Sequence, residues 1–260
     1  MADGAREPLD FTGRVVVVTG GTRGVGLGVA EMFLGAGAHV VVCARHAPDA
    51  PPERDGAVAS FVAADVRRHE EAAAVIGAAV ERHGRLDVLV NNAGGSPSVA
   101  AADMSPNFLT SVVSLNLFGP FFCAQAANAV MQGQGEGGCI LNISSVSALR
   151  PSPGAAAYAA AKAGLLNLTR TLAVEWAPKV RVNCVVAGLL RTDTGAEHYG
   201  DEEGMRAVAA TVPLGRLGTA EDVGGVCLFL ASPLAGYVSG AAVEAHGGGE
   251  RPAYLTALGG

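Results

Sequence analysis

No cluster of lysines and arginines interrupts this chain of 260 residues, and its formal charge is −6. A nucleic-acid partner would find no basic face to meet, although a local basic pocket stays open. Long apolar runs are missing too. The opening residues MADGAREPLDFTGR are mixed, and the longest aliphatic run, Val15 to Val18, is far too short to cross a bilayer. The expectation is a soluble, cytoplasmic protein without a membrane partner. Cys43, Cys123, Cys139, Cys184 and Cys227 are odd in number, scattered and without CxxC spacing. They read as reduced core residues rather than disulfides or metal ligands. The histidines at 39, 46, 69, 83, 198 and 246 are equally dispersed, so no metal site is expected. Internal repeats, low-complexity linkers and a second hydrophobic core are also absent. One domain over residues 1 to 260 is the favoured organisation, although the length alone would admit two small ones.

What the sequence does contain is an alternation of apolar, β-branched runs with segments of helical period. Val15 to Thr19 precedes a helix over Gly24 to Leu34; His39 to Cys43 follows, then Ser60 to Ala64 and a helix over His69 to Arg82. Leu86 to Val90, Phe108 to Met131, Cys139 to Ile143, Ala156 to Glu175 and Val180 to Val186 continue the series. The strands are apolar throughout, as strands are when helices cover both faces of a parallel sheet. The fold class is α/β, doubly wound. Thr219-Ala-Glu-Asp222 predicts a capped helix running to about Ser232. The polar, acidic stretch within 189–216 reads as a substrate lid or as an ordinary surface helix and loop.

Four valines lead into Thr19-Gly20-Gly21-Thr22-Arg23-Gly24-Val25-Gly26 and then an amphipathic helix. Glycines let the backbone approach an anion, and the free amides and dipole of a helix N-terminus favour negative charge, so a diphosphate fits this turn. The spacing of Gly20, Gly24 and Gly26 is not that of the G-x-G-x-x-G fingerprint. Arg45, at the end of the second strand where an NAD site usually carries an acid, and Arg23 in the turn predict NADP(H) over NAD(H), two guanidiniums flanking a 2′-phosphate. Asp65-Val66 after the third strand reads either as an adenine contact or as a helix cap. Asn91-Asn92-Ala93-Gly94 ends the fourth strand, at the edge where such sheets bind ligands.

Tyr158 and Lys162 are four residues apart in an Ala-rich helix, hence on one face, with Ser145 thirteen residues upstream of the tyrosine. Carbonyl reduction needs a hydride donor, a proton donor and a group to hold the carbonyl oxygen. Tyr158 and Ser145 suit the last two. Bringing a tyrosine from a pKa of about 10 to near neutrality takes about 4 kcal/mol, for which Lys162 and an oxidised nicotinamide are the expected sources. Ser144 competes with Ser145 for the serine role, but lies one residue nearer the strand and faces the other way if the strand continues. Asn116 stands four residues before Pro120. Proline has no amide hydrogen, so the Asn116 carbonyl is expected to lose its helical partner at a kink and hold a water that resupplies Lys162 with protons.

Together these residues resemble the short-chain dehydrogenase/reductase family, over about Phe11 to Gly248, with a likeness to its 3-oxoacyl reductases. TGGTRGVG is similar to the family's TGxxxGxG turn, NNAG to its strand-four motif, and Asn116, Ser145, Tyr158 and Lys162 to its catalytic tetrad. The resemblance implies a seven-stranded Rossmann sheet, homo-oligomers (tetramer or dimer), and cofactor contacts at Gly188, Leu190 and Thr192. Ala187-Gly188 stands where the family has Pro-Gly, which predicts a looser turn, and His246-Gly247-Gly248 stands in place of Asp-Gly-Gly. For substrate, the small and apolar walls expected at Gly95 to Ser98, Ser147 to Pro153 and Leu189 to Tyr199 favour a bulky apolar ketone or alcohol, such as an acyl thioester or steroid, over a sugar or polyol. Arg150 and Arg191 are the only obvious cations there. A catalytically silent nucleotide-binding sensor or scaffold is the alternative from another class.

Overall fold

The computed structural model describes residues 7–191, 199–252 and 254. The valine run forms β1 (Val15–Thr19), buried at every position, and Gly20, at φ 63°, turns the chain into α1 (Gly24–Gly35). β2 (His39–Ala44) returns beside β1 in parallel. Next comes a small hairpin that the sequence reading did not assign: β3 (Glu53–Arg54) and β4 (Ala57–Val58). Its turn is Asp55-Gly56, both at positive φ, a pairing suited to tight hairpins. β5 (Ser60–Ala63), α2 (His69–His83) and β6 (Val88–Asn91) follow.

The expected helix over Phe108 to Met131 is two α-helices with a π segment between them: α3 (Pro106–Val113), Ser114–Phe118, and α4 (Gly119–Gly133). By length and composition Pro106–Gly133 would also suffice to cross a membrane, which a search for aliphatic runs does not register. In this fold it packs against α2 and α5. β7 (Gly138–Ser145), α5 (Ala156–Glu175) and β8 (Val180–Ala187) bring the chain to α6 (Glu202–Thr211), α7 (Ala220–Ala231) and β9 (Ala242–Ala245). Thr219 and Asp222 form the predicted capping box, each side chain bonded to the other's backbone N–H.

All seven strands of the main sheet are parallel, in the order β5-β2-β1-β6-β7-β8-β9. Chain order reverses between β1 and β6, and such a switch point opens a crevice at the carboxyl ends of the strands. Thr19, Asn91, Ser145 and Ala187 end their strands there. Core side chains fill both faces. Val16, Val18, Phe33, Val223 and Leu230 lie on one side, and Val17, Ile76, Leu89, Met131 and Ile140 on the other. The five cysteines are buried and free.

Candidate active site

At the β1–α1 turn the side chain of Thr19 accepts from the backbone N–H groups of Asn92 and Ala93, both at 3.0 Å. Asn92 reciprocates through Nδ2, which donates to the carbonyls of Thr19 (3.0 Å) and Gly20 (3.2 Å). The NNAG motif thus locks the glycine turn, and the Asn92 amide is engaged there. A Cβ on Gly26 would stand 2.2 Å from the Gly20 carbonyl oxygen, so no larger residue fits. Gly24, at φ 53°, needs glycine for its backbone. No side chain caps α1, which leaves its first amides, from Gly24 and Val25 onward, open toward Thr22 and Arg23.

Arg23 and Arg45 are exposed, and neither guanidinium makes a hydrogen bond or ion pair among the described residues. Of the two readings for Asp65, the local one has a bond to show: its Oδ1 accepts from the backbone N–H of Arg67 at 3.1 Å. Its carboxylate is gripped by Arg67 (Nε to Oδ1 2.9 Å, to Oδ2 3.0 Å), which is the main cause holding its pKa below the ordinary value, and Arg45 adds to this. Adenine would have to share that carboxylate. Val66 is buried against Gly119.

Asn116 lies within the π segment and is fully buried. Its side chain accepts from Gly95 N–H (2.9 Å) and donates to the carbonyls of Gly95 (2.9 Å) and Val112 (2.8 Å). A Cβ on Gly94 would meet both Asn116 Oδ1, at 2.7 Å, and Lys162 Nζ, at 3.1 Å, so asparagine, glycine and lysine converge. Lys162 is buried and donates to the Ile143 carbonyl at 2.8 Å; its other two N–H donors have no hydrogen-bond partner among the described residues. Burial pulls its pKa down to about 8.

Ser144 and Ser145 part as strand geometry requires. Ser144 is buried and donates to the Lys162 carbonyl at 3.2 Å, whereas Ser145 turns toward Tyr158 and accepts from Ser147 N–H at 3.2 Å. Lys162 does not draw the Tyr158 proton down in this state: its Nζ lies 5.6 Å from the ring centroid, over the face, and burial pushes the Tyr158 pKa up. The Ser145 hydroxyl acts in the opposite direction and is outweighed.

Beyond the serine, Gly188 donates to the Ala245 carbonyl (3.0 Å) and is packed so tightly on His246 that a Cβ would stand 2.6 Å from its Cα. The turn expected to be loose without proline is pinned instead. Gly218 bonds both Leu189 and Arg191 at 2.9 Å, with Leu190 buried between them. Thr192 lies outside the described residues. Tyr199, half-buried, was not singled out in the sequence; its pKa is raised by burial, hydrogen bonding by the Leu190 backbone opposes this, and its phenol is close enough to Tyr158 to raise that group further. The Ile143 carbonyl also went unread, since a backbone oxygen carries no motif of its own, and Thr19 was read as part of the turn without its bonds to Asn92 and Ala93. Among the described residues no cluster suited to a metal is present.

A doubly wound sheet with an open, glycine-built helix N-terminus at its switch point, and a tyrosine, serine and lysine gathered beside it, defines a dinucleotide-dependent oxidoreductase. A family model described as "Enoyl-(Acyl carrier protein) reductase" matches residues 20–250. The chain is 38% identical over 244 residues to the "Probable 2,4-dienoyl-CoA reductase [(2E)-enoyl-CoA-producing]" of Bacillus subtilis (strain 168), covering 90% of this chain and 96% of that one. It is 38% identical over 248 residues to the L-rhamnose 1-dehydrogenase (NAD(P)(+)) of Azotobacter vinelandii, with the same coverage. Among solved structures, the aldohexose dehydrogenase of Thermoplasma acidophilum superposes with a TM-score of 0.86 at 28% identity, covering 93% of this chain and 96% of that one. The chain belongs to the short-chain dehydrogenase/reductase family and is an NAD(P)-dependent oxidoreductase.

Proposed function

We propose that this enzyme interconverts a ketone and a secondary alcohol with NADP(H), using Tyr158 as general acid and base, and that its substrate is an apolar ketone or acyl thioester. The observation that carries the reading is the meeting of Ser145, Tyr158, Lys162, Asn116 and Gly94 at the carboxyl edge of the sheet, beside a turn with unspent backbone amides. The residues present fit a nicotinamide dinucleotide. Gly20, Gly24 and Gly26 make room for its diphosphate, Arg23 and Arg45 are unpaired for a 2′-phosphate, and Lys162 has two N–H donors to spare. Bound there, the cofactor supplies or accepts the hydride. Ser145 holds the carbonyl oxygen, Tyr158 delivers or removes the hydroxyl proton, and Asn116 fixes the Gly95 backbone in the loop after β6, beside Lys162.

Substrate preference rests on a cavity lined by Val146, the residue that follows Ser145 in the chain, with Leu149 and Leu189 as its other apolar walls. Two of the relatives are named for a thioester and for a sugar, and these walls suit the former better. We further infer a single domain whose segment 189–216 serves as the lid, acting in the cytoplasm as a homo-oligomer. The test is NADPH oxidation followed at 340 nm with a panel of ketones that includes acetoacetyl-CoA. Tyr158→Phe is expected to lose turnover by a factor of about 10²–10⁴ while still binding NADPH. Cofactor binding without turnover of any ketone by the wild type would favour a silent sensor instead.

A further inference from the structure

The cavity lined by Val146 is not apolar throughout: Arg150, Glu244, His246 and Glu250 also line it. Glu244 is occupied by the His246 ring. Arg150 Nη1 donates to the Pro151 carbonyl (3.1 Å) and to Ser152 Oγ (3.3 Å), and Nη2 donates to Glu250 Oε1 at 2.7 Å. Arg150 Nε is buried without a hydrogen-bond partner among the described residues. Glu250 therefore takes one end of the guanidinium edge, although Nε and Nη2 together match the two oxygens of a carboxylate or phosphate. An anion that engaged both donors would outcompete it.

We propose that Arg150 is a specificity-determining residue that binds an anionic group on the substrate, at the end remote from the reacting carbonyl, and displaces Glu250 in doing so. This deepens the reductase reading and rests on it. The position follows from the chain: Arg150 is five residues past Ser145, its backbone tied to Val146 at 3.1 Å, and Gly188 forms the opposite wall. The cavity has a volume of about 210 Å³, below the about 300–1,000 Å³ of pockets for drug-sized ligands, which suits a short chain at the bound end.

The experiment compares kcat/KM with NADPH for two matched pairs: 5-oxohexanoate against its methyl ester, and acetoacetyl-CoA against the N-acetylcysteamine thioester of acetoacetate. In Arg150→Gln the charged-to-neutral ratio is expected to fall at least tenfold in one pair, through KM. A fall in the first pair assigns a carboxylate, and a fall in the second a phosphate of coenzyme A. Glu250→Gln, which frees the guanidinium, raises the same ratio and serves if the arginine variant does not fold. Ratios unchanged in both pairs overturn the proposal. If the wild type reduces none of these ketones, the reductase reading fails separately, and calorimetric titration of hexanoate into the NADP-loaded protein decides the anion site. Binding lost in Arg150→Gln supports the site, and binding equal in both proteins or absent from both overturns it.

Discussion

The role proposed for Lys162 sets function against stability at a single residue. Its amine is buried beneath the site with a pKa pulled down to about 8, while in the unfolded chain it titrates near the ordinary lysine value of about 10.4. Between these values the unfolded state binds more protons than the folded one, so this group makes stability rise with pH from about 8 to 10 and penalises folding below that. In ligand-free protein, urea midpoints should climb across this window in the wild type and climb less in Lys162→Met; parallel curves would refute the assignment. Arg45 offers a second residue-scale test. A guanidinium bonded to a phosphate contributes about 1.5–3 kcal/mol, so Arg45→Ala should shift the NADP-to-NAD affinity ratio by about 10–100-fold toward NAD. An unchanged ratio would remove the basis for choosing NADP.

At the scale of the element, the β1–α1 turn is tightly constrained. Gly26→Ala drives a methyl into the Gly20 carbonyl and the Asn92 amide, 2.2 and 2.4 Å away. We expect its NADPH affinity to drop at least tenfold by fluorescence titration, with the thermal midpoint lowered by several degrees. Wild-type affinity in this variant would mean that the turn does not hold the diphosphate. The turn was legible because its constraint is local, with glycine spacing following a valine strand. The interruption at Asn116 was legible for the same reason, since Pro120 removes an amide. Its form as a π segment was not, because that depends on the side chain of Asn116 closing on Gly95 and Val112, partners that only tertiary structure brings together. The Asp55-Gly56 hairpin went unread because two-residue strands leave no periodicity to detect.

For the whole molecule, the parallel sheet was readable from uninterrupted apolar strands, and the order of its motifs placed Ser145, Tyr158 and Lys162 at one edge. What pattern could not supply was electrostatic balance: Tyr158 reads as an acidified phenol, yet burial in the ligand-free fold outweighs the hydrogen bonding of Ser145. On the proposed mechanism, activation would be a property of the loaded site, where an oxidised nicotinamide would add its charge to that of Lys162. The pH profile should reflect this. With the alcohol as substrate, kcat/KM should rise with pH as the tyrosine loses its proton, and changing Lys162 to Met should abolish turnover at every pH rather than move the profile.

The most direct trial of the account uses NADPH deuterated at C4 with a ketone that the enzyme turns over, and mass spectrometry of the product. We expect deuterium on the new carbinol carbon in the wild type and no product above background with Tyr158→Phe, which still binds the cofactor. Product without deuterium, or the Tyr158→Phe protein working at the wild-type rate, would contradict it.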